Sequence, residues 1–237
     1  MTIVTASWAQ TNYKTFTVGG VTFKMIKVEG GTFTTTPMVT LSDYYIGQTE
    51  VTQALWKAVM GTTPSQLTTI RPSWDIGEGA NYPMYAISWE DCQEFVRKLN
   101  VQTGQRFRLP TESEWEFAAK GGNQRHGYLY SGSNDIDAVA WKSGNSRSMM
   151  HTVGTKIANE LGLYDMSGNV WEWCQDWYAP YNYSSSAKTN PTGPATGTER
   201  VRRGGSWNSI DTFCRVSKRE SSQPSERFLD VGLRLAL

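Results

Sequence analysis

The first strong pattern along the chain is alternation. Val21, Phe23 and Met25 alternate with Thr22 and Lys24, the Gly30-Gly31 pair turns the chain, and Val39-Thr40-Leu41 alternates again. Period two places apolar side chains on one face of extended backbone, so Thr15 to Tyr45 predicts a small antiparallel start. From Thr52 the period lengthens. Leu55, Trp56 and Val59 recur at helical spacing behind Thr52 as N-cap, and Gly61 stops the run. Ser88-Trp89-Glu90-Asp91 is a capping box, and Cys92, Phe95, Val96 and Leu99 behind it predict a second amphipathic helix with Cys92 inside. Thr111-Glu112-Ser113-Glu114 is another capping box after Pro110, with Trp115, Ala118 and Ala119 facing inward and Gly121-Gly122 as the stop. Thr62 to Tyr82 mixes Pro, Gly, Ser and Thr without a period and reads as loop. Beyond Gly122 no long helical pattern follows, only strand-like pieces such as Val170 to Cys174 and Leu233 to Leu237.

Composition changes the picture in three ways. With 10 Trp, 11 Tyr and 22 Gly but only 19% charged residues, the chain predicts ring plates joined by glycine turns, well below the roughly 25% charge of an ordinary soluble domain. Lys and Arg number 23 against 22 Asp and Glu, so no global field attracts phosphate and nucleic acid is not an expected partner. Two histidines exclude a three-His metal centre, and three cysteines without a CxxC argue against a disulfide framework or structural zinc. No run approaches the roughly 18 apolar residues of a membrane-spanning helix, and MTIVTASWAQ carries no secretion signal.

Four stretches taken together are more specific than any alone: Glu50-Val51-Thr52, Arg108 to Ala119, Gly162 to Trp173, and Arg203-Gly204-Gly205-Ser206-Trp207. In this order they resemble the sulfatase-modifying, formylglycine-generating enzyme domain. The resemblance implies an α+β, C-type lectin-like fold with few helices, small twisted antiparallel sheets and much irregular loop. It places one domain over 19–237, with 1–18 as an N-terminal extension and first strand. The oxidases of that family hold Cu(I) between two cysteines five positions apart just after the GGS motif, a soft metal on soft ligands. Here Ser209 stands at the first position and Cys214 at the second, so a two-thiolate copper site is not expected.

The tail, with Cys214-Arg215-Val216, Arg219, Pro224, Arg227 and Gly232-Leu233-Arg234-Leu235-Ala236-Leu237, resembles the variable proteins of diversity-generating retroelements. That resemblance implies a non-catalytic binder, with 208–230 as a variable segment displayed to a protein or surface ligand at a cell surface or on a phage particle. The interleaved candidates are Asn208, Ser209, Asp211, Phe213, Lys218, Glu220, Ser221, Gln223, Ser225, Glu226, Phe228, Leu229 and Asp230. A fixed copy of the same framework is the competing reading, and an oxidoreductase or enzyme-associated module acting on a peptide or thiol is the alternative function. The enzyme family also implies Ca²⁺ at Asp165, Gly168, Val170 and Glu172, two carboxylates and two backbone carbonyls. The plainer reading of those residues is a turn capped by Asp165 with Glu172 exposed between two tryptophans.

Overall fold

The structure, a computed structural model, describes residues 12–35, 38–67, 75–180 and 186–237. Strand β1 (Tyr13–Val18) turns through Gly19 and Gly20, both at positive φ, into β2 (Val21–Val28). Phe16 faces Phe23 in this hairpin with their rings stacked at 5.7 Å. Strand β3 (Gly31–Phe33) pairs with β4 (Val39–Leu41), while β5 (Tyr44–Gly47) crosses back onto β2. The antiparallel start expected over Thr15 to Tyr45 is present, with its two alternating runs in two different sheets. The alternation fixed which side chains are buried, but it carries no information about which strands pair.

Helix α1 (Gln53–Met60) starts at Thr52, whose hydroxyl accepts from the Leu55 amide, and stops at Gly61 with φ +76°. A single turn, α2 (Pro64–Leu67), stands where the sequence reads as loop; the rest of that stretch, 68–74, lies outside the described residues. Helix α3 (Trp89–Thr103) carries the Ser88 capping box and buries Cys92, Phe95, Val96 and Leu99. Trp56 stacks on Phe95 at 5.1 Å and so locks α1 to α3. In α4 (Glu112–Ala119) the expected apolar face is buried, but so are Glu114 and Glu116. That helix is enclosed, and its carboxylates must find cations. Arg203, with no exposed surface, supplies two of the bonds: its guanidinium donates to Glu112 Oε1 (3.1 Å) and Glu116 Oε2 (2.8 Å). A last single turn, α5 (Ile136–Val139), follows.

A four-stranded sheet runs in the order β10 (Val231–Leu233), β6 (Trp171–Trp177), β8 (Arg200–Arg203), β9 (Arg219–Ser222). β6 and β10 are parallel, as are β4 and the short β7 (Lys188–Thr189). Two of the three sheets are therefore mixed, and the β1-β2-β5 sheet is antiparallel throughout. A C-terminal strand that returns after a long connection is free to enter beside β6 in its own direction.

Candidate functional site

Strand β8 alternates in chemistry. Val201 and Arg203 are fully buried on one side, and Arg200 and Arg202 are half-buried on the other. On that second side the Arg200 guanidinium sits between Trp89 (3.7 Å) and Trp177 (3.4 Å). Arg202 lies over Trp171 (5.3 Å) and Phe228 (4.9 Å). Phe213, from a 3-10 turn at Asp211–Cys214, meets Trp171 edge-on at 6.2 Å. The Lys218 ammonium lies over Phe213 at 4.8 Å and pairs with Glu220 at 2.7 Å, and Glu220 stands opposite Arg202 in the β8–β9 register. The Asp230 carbonyl accepts from the Trp171 amide, and its carboxylate accepts from Ser206 Oγ at 2.7 Å. Phe213, Lys218, Glu220, Phe228 and Asp230 are spread through the tail in sequence, yet all gather around Trp171 and Arg202.

The remaining candidates flank this centre. Asn208 and Asp211 are exposed, the latter paired with Lys142 at 3.0 Å. Gln223, Ser225 and Glu226 form the exposed turn between β9 and β10, and Ser221 donates to Glu199. Leu229 is half-buried against the cluster that holds Trp207. Ser209 differs from the rest. It is 8% exposed, its Oγ accepts from the Ser206 amide, and the two hydroxyls lie 3.1 Å apart, so its hydroxyl closes a turn. Arg202 and Trp171 were not among the candidates. The signal that could have found Arg202 is the period-two pattern of Arg200-Val201-Arg202-Arg203, which sends one pair of arginines outward.

The family resemblance would place a copper pair at Ser209 and Cys214. Cys214 has no exposed surface, and burial, aided by Asp211, pushes its thiol up to about 12. At neutral pH neither group is an anionic soft ligand.

The residues expected to hold calcium divide in two. Glu172 is fully buried; its carboxylate accepts from Arg234 Nε and Nη2 and, through Oε2, from Trp115 Nε1 at 2.6 Å. It is neither exposed, as the plainer reading had it, nor without a partner. Asp165, at φ +58°, accepts from the Gly154 amide with one oxygen. Beside it stands Glu50, 2% exposed, whose buried carboxyl hydrogen-bonds to that of Asp165. Burial pushes Asp165 up to about 6 and Glu50 well above the usual carboxylate range. Gly168, at φ +81°, and Val170 continue the same turn. Among the described residues no three His, Cys, Asp or Glu side chains form a metal centre. The buried carboxyl pair of Asp165 and Glu50 nevertheless offers hard oxygens of the kind a cation such as Ca²⁺ takes, with Glu172 committed to Arg234. Glu50 lay within a quoted motif, but nothing in its spacing marked it for this place.

A second buried acid needs its own account. Asp176, 3% exposed, accepts from the Glu112 amide at the start of α4. Burial, reinforced by Glu112 and Glu114, raises it to about 7 against the pull of Arg219. A carboxyl whose folded pKa lies above its unfolded value contributes stability below about pH 4 and loses it as pH rises through about 7. Asp176→Asn keeps the acceptor and removes that loss. Urea midpoints should show the variant more stable than the parent at pH 8, by on the order of 1–3 kcal/mol, with the difference vanishing near pH 4. A pH-independent difference would contradict this.

Comparison with known proteins agrees with the geometry. Residues 9–237 match the family described as "Sulfatase-modifying factor enzyme 1-like domain". The chain is 31% identical to the chaperone protein LppX of Paenibacillus barcinonensis, over 89% of this chain and 88% of that one. It is 35% identical to the formylglycine-generating enzyme of Streptomyces coelicolor over 68% of this chain, but spans only 54% of that enzyme. Among solved structures it superposes on Treponema denticola variable protein 1 with a TM-score of 0.83 and 34% identity, covering 94% and 98% of the two chains. Two further solved structures, of PvdO from Pseudomonas aeruginosa and of CarF, share the fold at 23% identity. The chain belongs to the sulfatase-modifying factor, formylglycine-generating-enzyme-like family and has its C-type lectin-like α+β fold.

Proposed function

We propose that this chain is a non-catalytic binding protein of the retroelement variable-protein type, and that the face around Trp171 and Arg202 is its ligand surface. The observation that carries this is the convergence of Phe213, Lys218, Glu220, Phe228 and Asp230 onto one sheet face, with their rings half-buried and their polar groups at the surface. Aromatic anchors among adaptable polar groups are the composition of a binding surface. The likeness to a Treponema denticola variable protein over nearly the whole of both chains supports the same reading. Among the described residues no helix is long and apolar enough to cross a membrane. The ligand is a protein or surface group met at a cell surface or phage particle.

The alternative, a formylglycine-generating-type oxidoreductase or enzyme-associated module acting on a peptide or thiol, is supported by the enzyme relative, and its oxidase form is opposed by the pair Ser209 and Cys214. Incubation with Cu(I), oxygen and a cysteine-containing peptide should leave the peptide mass unchanged. Turnover above a metal-only control would reverse the assignment. Ser209→Cys should raise Cu(I) affinity without restoring turnover.

Calcium belongs to the same reading as a structural ion. Asp165, with Glu50 beside it, would hold the cation on the turn that leads through Gly168 and Val170 into Trp171. Binding to the folded state stabilises by mass action. Chelator should therefore lower the melting temperature and Ca²⁺ restore it, and Asp165→Ala should abolish the difference. An unchanged melting temperature would leave Asp165 as a turn residue only.

A further inference from the structure

The protein's own cations show what this face accepts. Lys218 lies over Phe213, Arg202 over Trp171 and Phe228, and Arg200 between Trp89 and Trp177. Each ring cluster on this side of β8 is thus already a seat for a positive charge. Among the described residues the Arg202 guanidinium makes these ring contacts but no hydrogen bond or ion pair, and its Nε is buried without a partner. Four carboxylates lie within electrostatic reach of it: Asp230, Glu220, Glu226 and Glu199.

Among the described residues only Glu220 of the four has a cation at ion-pair distance, Lys218. Glu226 accepts from the Gln223 amide, Asp230 from Ser206 and Glu199 from Ser221. Three carboxylates are thus left against Arg202 and the ring-enclosed Arg200, on a surface whose other contribution is aromatic. A polyanion would be repelled and would desolvate these acids at a cost. A segment bearing cations beside apolar groups would neutralise them and cover the rings.

Resting on the binding-face reading, we propose that this surface takes a segment of a protein partner in which arginine or lysine stands beside apolar side chains. The partner's cations would sit between the rings and the rim of Glu199, Glu226 and Asp230, and its apolar groups would cover Phe213 and Phe228.

The test uses the intact chain and two short labelled peptides of equal length, one alternating Arg with Leu and one alternating Glu with Leu, read by fluorescence anisotropy. The expected result is that the Arg peptide binds about tenfold or more tighter at low salt and loses that advantage as salt rises. Glu199→Gln with Glu226→Gln should erase the preference, and Phe213→Ser with Phe228→Ser should remove binding. If the Glu peptide binds as well or better and is still lost on replacing the two phenylalanines, the basic-partner proposal is overturned and the binding face stands. If the Arg peptide binds the phenylalanine variant as well as the parent, both fall. If neither peptide binds, the basic-partner proposal is overturned.

Discussion

Replacing Arg234 by Met should destabilise the protein by about 3–5 kcal/mol, because it strands a buried carboxylate. Arg234 has no exposed surface, and its ion pair with Glu172 closes at 2.7 Å. The same guanidinium donates to the Gly47 and Tyr164 carbonyls, tying β5 and the Asp165 turn to the C-terminal strand region. Removing it leaves Glu172 with only the Trp115 indole and leaves two carbonyls without donors. Glu172→Leu should cost a similar amount by stranding the guanidinium. The double replacement should cost much less than the sum, since two apolar side chains can share the vacated space without an uncompensated charge. Urea unfolding of the three variants checks this, and additive losses would show that the pair does not act as a unit.

Gly168→Ala should cost about 2–4 kcal/mol, the range for a strained backbone combined with overpacking. The residue has φ +81°, and a Cβ there would strike the Trp141 carbonyl oxygen. That approach is what lets the Asn169 amide donate to the Trp141 carbonyl at 2.8 Å and the Gly168 amide to the Gly204 carbonyl. The Gly168–Gly204 bond ties the segment entering the Trp171 strand to the end of the Arg203 strand, so the substitution should also weaken any ligand bound at the Trp171 face. Gly162, at φ +78° with open space around it, is the control for φ alone. Ala at Gly162 should cost less, and equal losses would show that the collision contributes nothing.

The parts of the fold legible in the sequence were those with local causes. Thr52, Ser88 and Thr111 cap their helices because a short hydroxyl side chain reaches an orphan amide three residues on, and this needs no tertiary context. Cys92 was placed inside by periodicity and has no exposed surface. Sheet pairing was not legible, since β3 and β4 leave β2 for a sheet of their own. The buried charges were misread for the same reason. Glu114 does close the Thr111 capping box, but Glu116 and Glu172 look solvated or capping until Arg203 and Arg234 arrive from distant segments to neutralise them. At the candidate site, the tail pattern pointed to Phe213, Lys218, Glu220, Phe228 and Asp230, but not to Trp171 and Arg202 on which they converge. Ser209 looked like its neighbours and was separated from them only by its bonds to Ser206.

The central claim is that the face around Trp171 and Arg202 carries binding while the framework beneath carries stability. The direct measurement is the melting temperature of a chain in which Asn208, Asp211, Phe213, Lys218, Glu220, Glu226 and Phe228 are replaced together by serine. Each is exposed or half-buried, and the buried Arg234–Glu172 and Arg203–Glu116 pairs are left intact. The account predicts a cooperative transition within about 8 °C of the parent, the shift expected for roughly 2 kcal/mol in a domain of this size. Loss of the transition, or a drop as large as that caused by Arg234→Met, would show that these side chains hold the fold together and would contradict their assignment to an exchangeable binding surface.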